Sequence, residues 1–331
     1  MPPLLINPDG IAVHLSTSGS SGTPTLHAMS WRRLLTLAQT TAQHFKHWQG
    51  STILATVPSQ HMYGLEHRLF WALPLQANVH DQMAQLPSDI LKRLSQLGTD
   101  SILITTPFHL NACVQSGLNF PNIRGVLSAT APLSQNLAKH VEALFKAPVY
   151  EIYGSTETGA IATRQAAYEQ DWQLFSGRSI IKKAQRFYLS QTQSDGSPNI
   201  LTELHDTIEN ITDNRFTLGP RSNDLIKVAG KRASLAELHH TVKEISGIKD
   251  AAFYLPEQES HTKLYQRLIL FVCFDEKLVT TTMIKQKIKQ YFDPIFVPKE
   301  IYKLEELPRN EVSKLTLSSL KELLERCRHE I

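Results

Sequence analysis

Cysteine is nearly missing from this chain. Only Cys113, Cys273 and Cys327 occur, scattered and odd in number. That excludes a disulfide framework and points to reduced thiols in a cytoplasmic setting. No Cys/His cluster has zinc spacing. A large charge of either sign is missing too. The net charge is +3 with no basic block, which argues against nucleic acid or an acidic membrane face as partner. No apolar run approaches the roughly 20 residues that a spanning helix needs, so no membrane span is expected. The start, Met1 to Pro8, is short and broken by proline, unlike a signal peptide. Glycine is sparse, with 15 in 331 residues. Yet Gly19, Gly22, Gly154, Gly159 and Gly230 all sit in short polar segments, where bare backbone can approach a ligand.

What is present reads as a globular protein. The chain is 41% hydrophobic and 20% charged, and long enough for two domains. Ser30 is placed to cap a helix whose apolar face is Leu34, Leu35, Ala38, Ala42 and Phe45. Strands are expected at Ser51 to Val57, Ile102 to Ile104, Ile123 to Leu127 and Pro148 to Ile152, and helices at Leu65 to Leu73, Asp89 to Leu97 and Gln135 to Phe145. This alternation predicts βαβ units and a largely parallel sheet. From about Phe187 the pattern becomes short strands and turns, Asp195 to Pro198 being one turn. A separate α/β unit follows Asp224. Its helices are expected at Leu235 to Ile245, Met283 to Phe292 and Thr316 to Glu325, its strands at Ala251 to Leu255 and Leu268 to Phe274. The expected fold is α/β: a large domain over residues 1–221 with mainly parallel sheets and a short β-rich subdomain, then a small α+β domain over 222–331.

Three polar segments carry chemistry. Tyr153-Gly154-Ser155-Thr156-Glu157-Thr158-Gly159 follows a buried-strand pattern. A polar loop leaving the C-terminal end of a parallel strand is where open α/β sheets bind ligands. A ring can stack on a base, a hydroxyl can reach a phosphate, and a carboxylate can hold Mg²⁺. Ser16 to Thr25, which includes Thr17, Ser18, Gly19, Ser20, Ser21 and Gly22, offers hydroxyls and free N–H groups to phosphate oxygens. In isolation it would read as a flexible linker, but an apolar stretch precedes it and a helical pattern follows. It lacks the Gly-Lys-Ser/Thr of nucleotide-binding P-loops. Leu307 to Leu315 is a Pro-led polar loop with one lysine, Lys314.

Together these segments resemble the adenylate-forming superfamily: acyl- and aryl-CoA synthetases, peptide-synthetase adenylation domains and luciferases. Ser16 to Thr25 is similar to that family's phosphate loop. Pro58 to Gly64 is similar to its Pro-x-x-His-x-x-Gly segment beside the acid pocket, and Ser128 to Leu133 to its adenine-side loop, with the glycines replaced. Tyr153 to Glu157 is its Tyr-Gly-x-Thr-Glu motif. Asp206 lies where the ribose-binding Asp falls, and Arg221 to Arg232 is similar to the hinge and the loop after it. Lys314 matches the C-terminal catalytic lysine.

The resemblance implies ATP-dependent activation of a carboxylic acid to an acyl-adenylate, then transfer to the thiol of CoA or of a phosphopantetheine. It implies that Tyr153 and Gly154 lie at adenine beside Thr130, that Asp206 and Arg221 hold ribose, that Thr156 meets the α-phosphate and that Glu157 binds Mg²⁺. Lys314 would bridge carboxylate and phosphate, Gly230 would border the pantetheine path, and Arg232 joins the cofactor-binding set. His61, Tyr63 and Gly64 would wall the acid pocket, suiting an aromatic or medium acyl acid better than acetate. Residues 151–164 also look like those of small ligases that feed carrier proteins.

Three departures stand out. Thr25 replaces the lysine that usually ends the phosphate loop, Asn223 replaces the usual hinge Asp or Lys, and Leu204-His205 replaces Thr-Gly before Asp206. Relatives also carry a much longer region before the phosphate loop. The expectation is an N-terminally short member, a fragment, or a chain completed by a partner. The partners expected are the acid substrate and either an acyl-carrier protein or a complementing N-terminal chain. A catalytically degenerate protein that binds a nucleotide or carrier protein, or one half of a split ligase, is the competing class. Retention of Thr156, Glu157, Arg221 and Lys314 together favours the enzyme.

Overall fold

The computed structural model describes residues 6–18, 24–184, 186–192, 199–219, 225–228, 231–256, 267–310 and 315–329. The chain forms two compact units. One is built on residues up to Leu204 with Ile208–Leu218. The other takes His205–Thr207, the chain from Gly219 to Asn310, and Leu315 onward.

The first unit begins with an antiparallel pair, β1 (Ile11–Ser18) and β2 (Pro24–Ser30), leading into helix α1 (Trp31–His44). The Ser/Gly segment is thus followed by a strand before the helix, a difference from the strand–loop–helix expectation. Ser30 caps α1 as its sequence predicts, its Oγ accepting from Arg33 N–H at 3.3 Å. The buried stripe is Leu34, Leu37, Ala38, Thr41 and Ala42, the spacing of one helical face. There follow β3 (Thr52–Ala55), the short helix α2 (Met62–Gly64), β4 (Asn78–Val79), α3 (Pro87–Leu97), β5 (Ser101–Thr105), α4 (Pro107–Gln115), β6 (Gly125–Ser128), α5 (Gln135–Phe145), β7 (Val149–Ser155), β8 (Gly159–Gln165) and β9 (Trp172–Leu174). Next come β10 (Arg178–Lys183), β11 (Arg186–Gln191), β12 (Ile200–Leu204), β13 (Ile208–Glu209) and β14 (Arg215–Leu218).

Nine strands make one sheet in the order β13-β14-β9-β8-β7-β6-β5-β3-β4. From β4 to β7 all pairs are parallel; from β7 onward they are antiparallel. β5 and β6 are buried throughout, as strands covered on both faces must be. Period-two alternation sorts their side chains. Leu54, Leu103, Val126 and Val149 pack under α3, α4 and α5 against Leu94, Leu110, Val141 and Phe145. Ile53, Ile102, Ile104 and Leu127 face Ala38, Ala42, Phe45, Trp48 and Trp71 on the other side. Each such Leu, Ile or Phe contributes about 1.5–3 kcal/mol on burial. β10, β11 and β12 form a separate antiparallel sheet. The turn expected at Asp195 to Pro198 lies outside the described residues.

The stretch expected as one regular helix, Leu65 to Leu73, is irregular. Leu65–Leu69 is wound as a wide π-type turn and Phe70–Ala72 as a tight 3₁₀ turn. His67 supplies the reason: its Nδ1 lies 3.0 Å from the Tyr63 carbonyl, the acceptor that a regular helix would offer to the His67 N–H.

In the second unit, β15 (Leu225–Val228) and β16 (Lys231–Ser234) pair antiparallel before helix α6 (Leu235–Lys243). Then come β17 (Ile248–Tyr254), β18 (Ile269–Phe274), α7 (Thr281–Tyr291), β19 (Glu300–Lys303) and α8 (Leu317–His329). The sheet order is β17-β18-β19, antiparallel then parallel. Leu270 and Val272 of β18 face Leu238, Ile284 and Ile288, while Ile269, Phe271 and Cys273 face Leu320, Leu323 and Cys327 of α8. Asp250 of β17 is buried and accepts from Arg309 at 2.8 and 2.9 Å and from Lys243 at 2.8 Å. The two cations hold its carboxyl below the ordinary range, although burial opposes them. All three cysteines are buried, and burial pushes the Cys113 thiol up to about 12.

Candidate active site

Parallel strands β3, β5, β6 and β7 are neighbours in the sheet, and their C-terminal ends share one edge. Three of the matched segments leave from that edge: Pro58 to Gly64 after β3, Ser128 to Leu133 at the end of β6, and Tyr153 to Gly159 at the end of β7. Segments far apart in sequence are brought together by register alone, at the place where open parallel sheets bind ligands.

After β3 the chain enters α2. His61 is half-buried at its start, and its carbonyl accepts from Leu65 N–H at 2.8 Å. A side chain at Gly64 would collide with the Pro58 carbonyl, so only glycine lets the turn fold back on the segment before it. The Tyr63 hydroxyl donates to the Leu127 carbonyl of β6 at 2.8 Å. Burial raises its pKa well above the ordinary phenol value. Beside it, Thr56 and Thr105 share a 2.9 Å hydroxyl contact at the ends of β3 and β5. Thr106 lies 2.9 Å from His109 Nδ1. Burial holds His109 down at about 4, so it is neutral near pH 7.

The loop after β6 holds Thr130, half-exposed, with φ of 81°. A β-branched residue is strained in that left-handed region, and such strain collects at ligand-binding positions. Thr130→Gly is expected to stabilise the protein by about 1 kcal/mol, read from urea unfolding midpoints. Buried Glu151 of β7 anchors the far end of this loop, accepting from Leu133 N–H at 2.8 Å. It also takes Arg164 Nε at 2.8 Å and Nη2 at 2.7 Å. Burial raises the Glu151 carboxyl pKa even so, with Arg164 opposing. The Arg164 guanidinium sits 4.6 Å from the Trp172 ring centre.

The third segment is not a loop that simply leaves a parallel strand. It is the tip of a hairpin. Tyr153, Gly154 and Ser155 belong to β7, Gly159 opens β8, and the register shifts between Tyr153 and Gly154. The Tyr153 ring is buried, with Trp172 at 5.6 Å and Phe216 at 5.8 Å between ring centres. Ser155 and Thr158 tie the tip internally: Ser155 N–H donates to Thr158 Oγ1 at 3.0 Å, and Thr158 N–H to Ser155 Oγ at 3.3 Å. Between them Thr156 is half-buried and Glu157 exposed. Glu157 Oε1 lies 3.4 Å from His27 Nε2, and its carbonyl accepts from the Arg33 guanidinium. Burial lowers the Arg33 pKa while the Glu157 charge raises it.

Thr17 and Ser18 end β1, while Gly19, Ser20, Ser21 and Gly22 lie outside the described residues. So do Arg221, Asn223, Gly230 and Lys314; Arg232 lies on β16. Asp206 is half-buried in the link between β12 and β13, a link that clusters with the second unit. Motif reading missed His27, Arg33, Glu66, His109 and the Glu151–Arg164 pair. Only Glu66 left a signal, a carboxylate inside an apolar helical stretch.

Among the described residues no group of three or more His, Cys, Asp or Glu side chains could cage a metal. Magnesium held by one carboxylate and substrate phosphates needs no cage. An exposed Glu157 on a rigid tip flanked by the Thr156 hydroxyl fits that mode.

Known proteins align with this arrangement. A 4-coumarate–CoA ligase of Rhodobacter capsulatus is 29% identical over 250 residues, which are 72% of this chain and 59% of that protein. One of Halorhodospira halophila is 24% identical over 302 residues, 91% and 74%. The chain thus spans little more than half the length of the first of these relatives. ATP-bound MatB of Rhodopseudomonas palustris superposes with a TM-score of 0.76 at 16% identity, covering 96% of this chain and 69% of that one. The o-succinylbenzoate CoA synthetase of Bacillus subtilis, solved with its acyl-adenylate, gives 0.75 at 18%, covering 95% and 70%. These likenesses establish the shared fold. The model of the AMP-binding enzyme family matches residues 1–184, and the chain belongs to that family.

Proposed function

We propose that the chain activates a carboxylic acid with ATP and passes the acyl group to a thiol. A carboxylate oxygen of the acid attacks the α-phosphorus of ATP, the bond to pyrophosphate breaks, and an acyl-adenylate forms. The thiol sulfur then attacks the acyl carbon, the bond to AMP oxygen breaks, and the thiol proton is lost. The observation that carries this reading is the convergence of three family segments at the C-terminal edge of β3, β5, β6 and β7. In such transfers a protein acts mainly by positioning and by charge stabilisation.

Tyr153 forms the adenine side with the Thr130 loop. Asp206 and Arg221 bind ribose, and the Ser/Gly segment from Thr17 to Gly22 cradles phosphates. Thr156 donates to the α-phosphate. Glu157 would hold Mg²⁺, which supplies positive charge to the phosphate oxygens when bound. Lys314 places a positive charge between the carboxylate and the α-phosphate, and Gly230 and Arg232 border the thiol's approach. The acid is aromatic and the thiol is coenzyme A: His61, Tyr63 and Gly64 would wall the acid pocket, and the curated relatives bear the name 4-coumarate–CoA ligase.

The test is acid-dependent pyrophosphate exchange with 4-coumarate, benzoate, acetate and a long-chain acid. Aryl acids should give the highest kcat/KM. Glu157→Gln should keep its melting temperature but lose at least tenfold in exchange at limiting Mg²⁺, because an amide is a poorer ligand for a hard cation. Exchange with none of the acids would refute the activity. Unchanged exchange by Glu157→Gln would refute the magnesium role alone.

A further inference from the structure

Buried Glu66 takes no part in the chemistry above, yet each of its oxygens has a donor group within hydrogen-bond distance. Oε2 accepts from Ala160 N–H at 3.1 Å, and Oε1 lies 3.2 Å from Thr41 Oγ1, whose one proton is shared with the Leu37 carbonyl at 3.0 Å. The same Thr41 hydroxyl accepts from Trp71 Nε1 at 2.7 Å. A carboxylate that gives up water needs such replacements, since a buried acceptor left unpaired is costly. Glu66 sits in the wide turn Leu65–Leu69, just after Tyr63 and Gly64. Wide π-type turns recur at functional sites because they re-aim side chains.

The residues that Glu66 reaches are the base of the Thr156–Glu157 tip. Gly159 has φ of 68°, and a β-carbon there would sit 2.7 Å from Leu37 Cδ1 and 3.3 Å from Glu66 Oε2. The Gly159 backbone therefore lies between the Leu37 side chain of α1 and the Glu66 carboxylate, in a left-handed conformation that favours glycine. The tip is rigid within itself through Ser155 and Thr158, and Gln191 Nε2 adds a bond to the Thr158 carbonyl at 3.3 Å. Fixing its base therefore fixes where Thr156 and Glu157 point. On the other side, the Tyr63 hydroxyl ties α2, the short helix that leads into the wide turn, to the Leu127 carbonyl of β6. Arg178, paired in register with Gln191, is buried, with Nη1 lacking a partner among the described residues. The Glu66 charge favours its charged form against the burial that draws its pKa down to about 10.

We propose that Glu66 is a positioning residue for adenylation: it sets the separation between the acid wall at Tyr63–Gly64 and the Thr156–Glu157 tip, so that the acid carboxylate meets the α-phosphorus in line. This rests on the adenylation reading above. Small errors in such alignment cost rate far more than affinity.

The experiment compares wild type with Glu66→Ala, Glu66→Asp and Glu66→Gln. Glu66→Ala should lower kcat of acid-dependent pyrophosphate exchange at least tenfold, while ATP and acid, titrated separately, bind within about threefold of wild type. Glu66→Asp keeps the charge but withdraws the oxygens by one methylene, and should show the same loss; it also serves if the alanine variant folds poorly. Glu66→Gln retains an acceptor for Ala160 N–H and should recover to within about threefold of wild type. Thioester formation from pre-made acyl-adenylate should be near wild type in all of them. Full exchange activity in the Ala or Asp variant overturns the proposal. So does equal loss of both half-reactions in step with the melting temperature. Amide hydrogen exchange at Ala160 needs no turnover: it should quicken in the Ala and Asp variants but not in Gln, and unchanged protection in all three refutes the tie even if the wild type activates no acid.

Discussion

Lys314→Ala is expected to lose at least two orders of magnitude in acid-dependent pyrophosphate exchange. One positive charge between two anions that must approach each other is worth roughly 3 kcal/mol or more in a site shielded from water. The charge matters only while carboxylate and phosphate are both anionic and must meet. Once the acyl-adenylate exists, that repulsion is gone. The same variant, supplied with acyl-adenylate and thiol, should therefore form thioester near the wild-type rate. Gly230→Leu should show the opposite pattern, because a branched side chain would obstruct the thiol and leave adenylation intact. The measurement is the pair of half-reaction rates for each variant. Equal slowing of both half-reactions by Lys314→Ala would rule out a role confined to adenylation.

Arg164→Met should destabilise the first unit by about 3 kcal/mol. Removing one partner of a buried ion pair leaves the other charge uncompensated, and that costs more than the pair ever contributed. Here the stranded group is Glu151, buried on β7, its remaining described donor being Leu133 N–H. The loss has a definite pH signature. Glu151 already has a carboxyl pKa raised above its ordinary 4.5, burial being the larger cause and Arg164 opposing it. Without Arg164 it rises further. A native pKa above the unfolded one means that the folded chain binds more protons, so stability falls as pH rises from the unfolded value through the native one. The deficit of Arg164→Met should thus be largest near neutrality, shrink as pH falls through the native value toward 4.5, and level off below 4.5, where the carboxyl is protonated in both states. Denaturant melts across that range test it; a deficit independent of pH would mean that lost packing over Trp172 dominates. The loop after β6 is held by the same carboxylate through Leu133 N–H, so if that loop lines adenine as proposed, the variant should also bind AMP more weakly.

These pairs show where sequence reading reached and where it stopped. Helix α5 is bounded at Gln135 and Phe145 as its pattern predicts, and Ser30 caps α1, because caps and helical stripes are local signals. The buried run before Tyr153 likewise announced β7. Helix α4 has Pro107 in its first turn, yet its apolar and polar residues are too mixed around the helix to give a clear stripe. The wide turn after Gly64 has the pattern of a regular helix, because the contact that distorts it, between His67 Nδ1 and the Tyr63 carbonyl, involves a side chain. Motif residues could be named because each motif is contiguous. Glu151 and Arg164 could not: they oppose each other across β7 and β8, and their pairing exists only once the register of that hairpin is fixed. Glu66 and Ala160 are farther apart still.

The ends of the nine-stranded sheet bear on how this protein meets its own copies. An unpaired strand edge is a template on which another chain can add, and proteins blunt it by keeping edge strands short. β4 and β13, at the two ends, are each two residues long, too little backbone for a stacking neighbour to grip. In the small sheet one edge strand, β12, is longer, with five residues, and Ile200 and Leu201 are exposed on it. Crowded conditions should favour self-association there, and Leu201→Lys should reduce it by adding a charge to this edge.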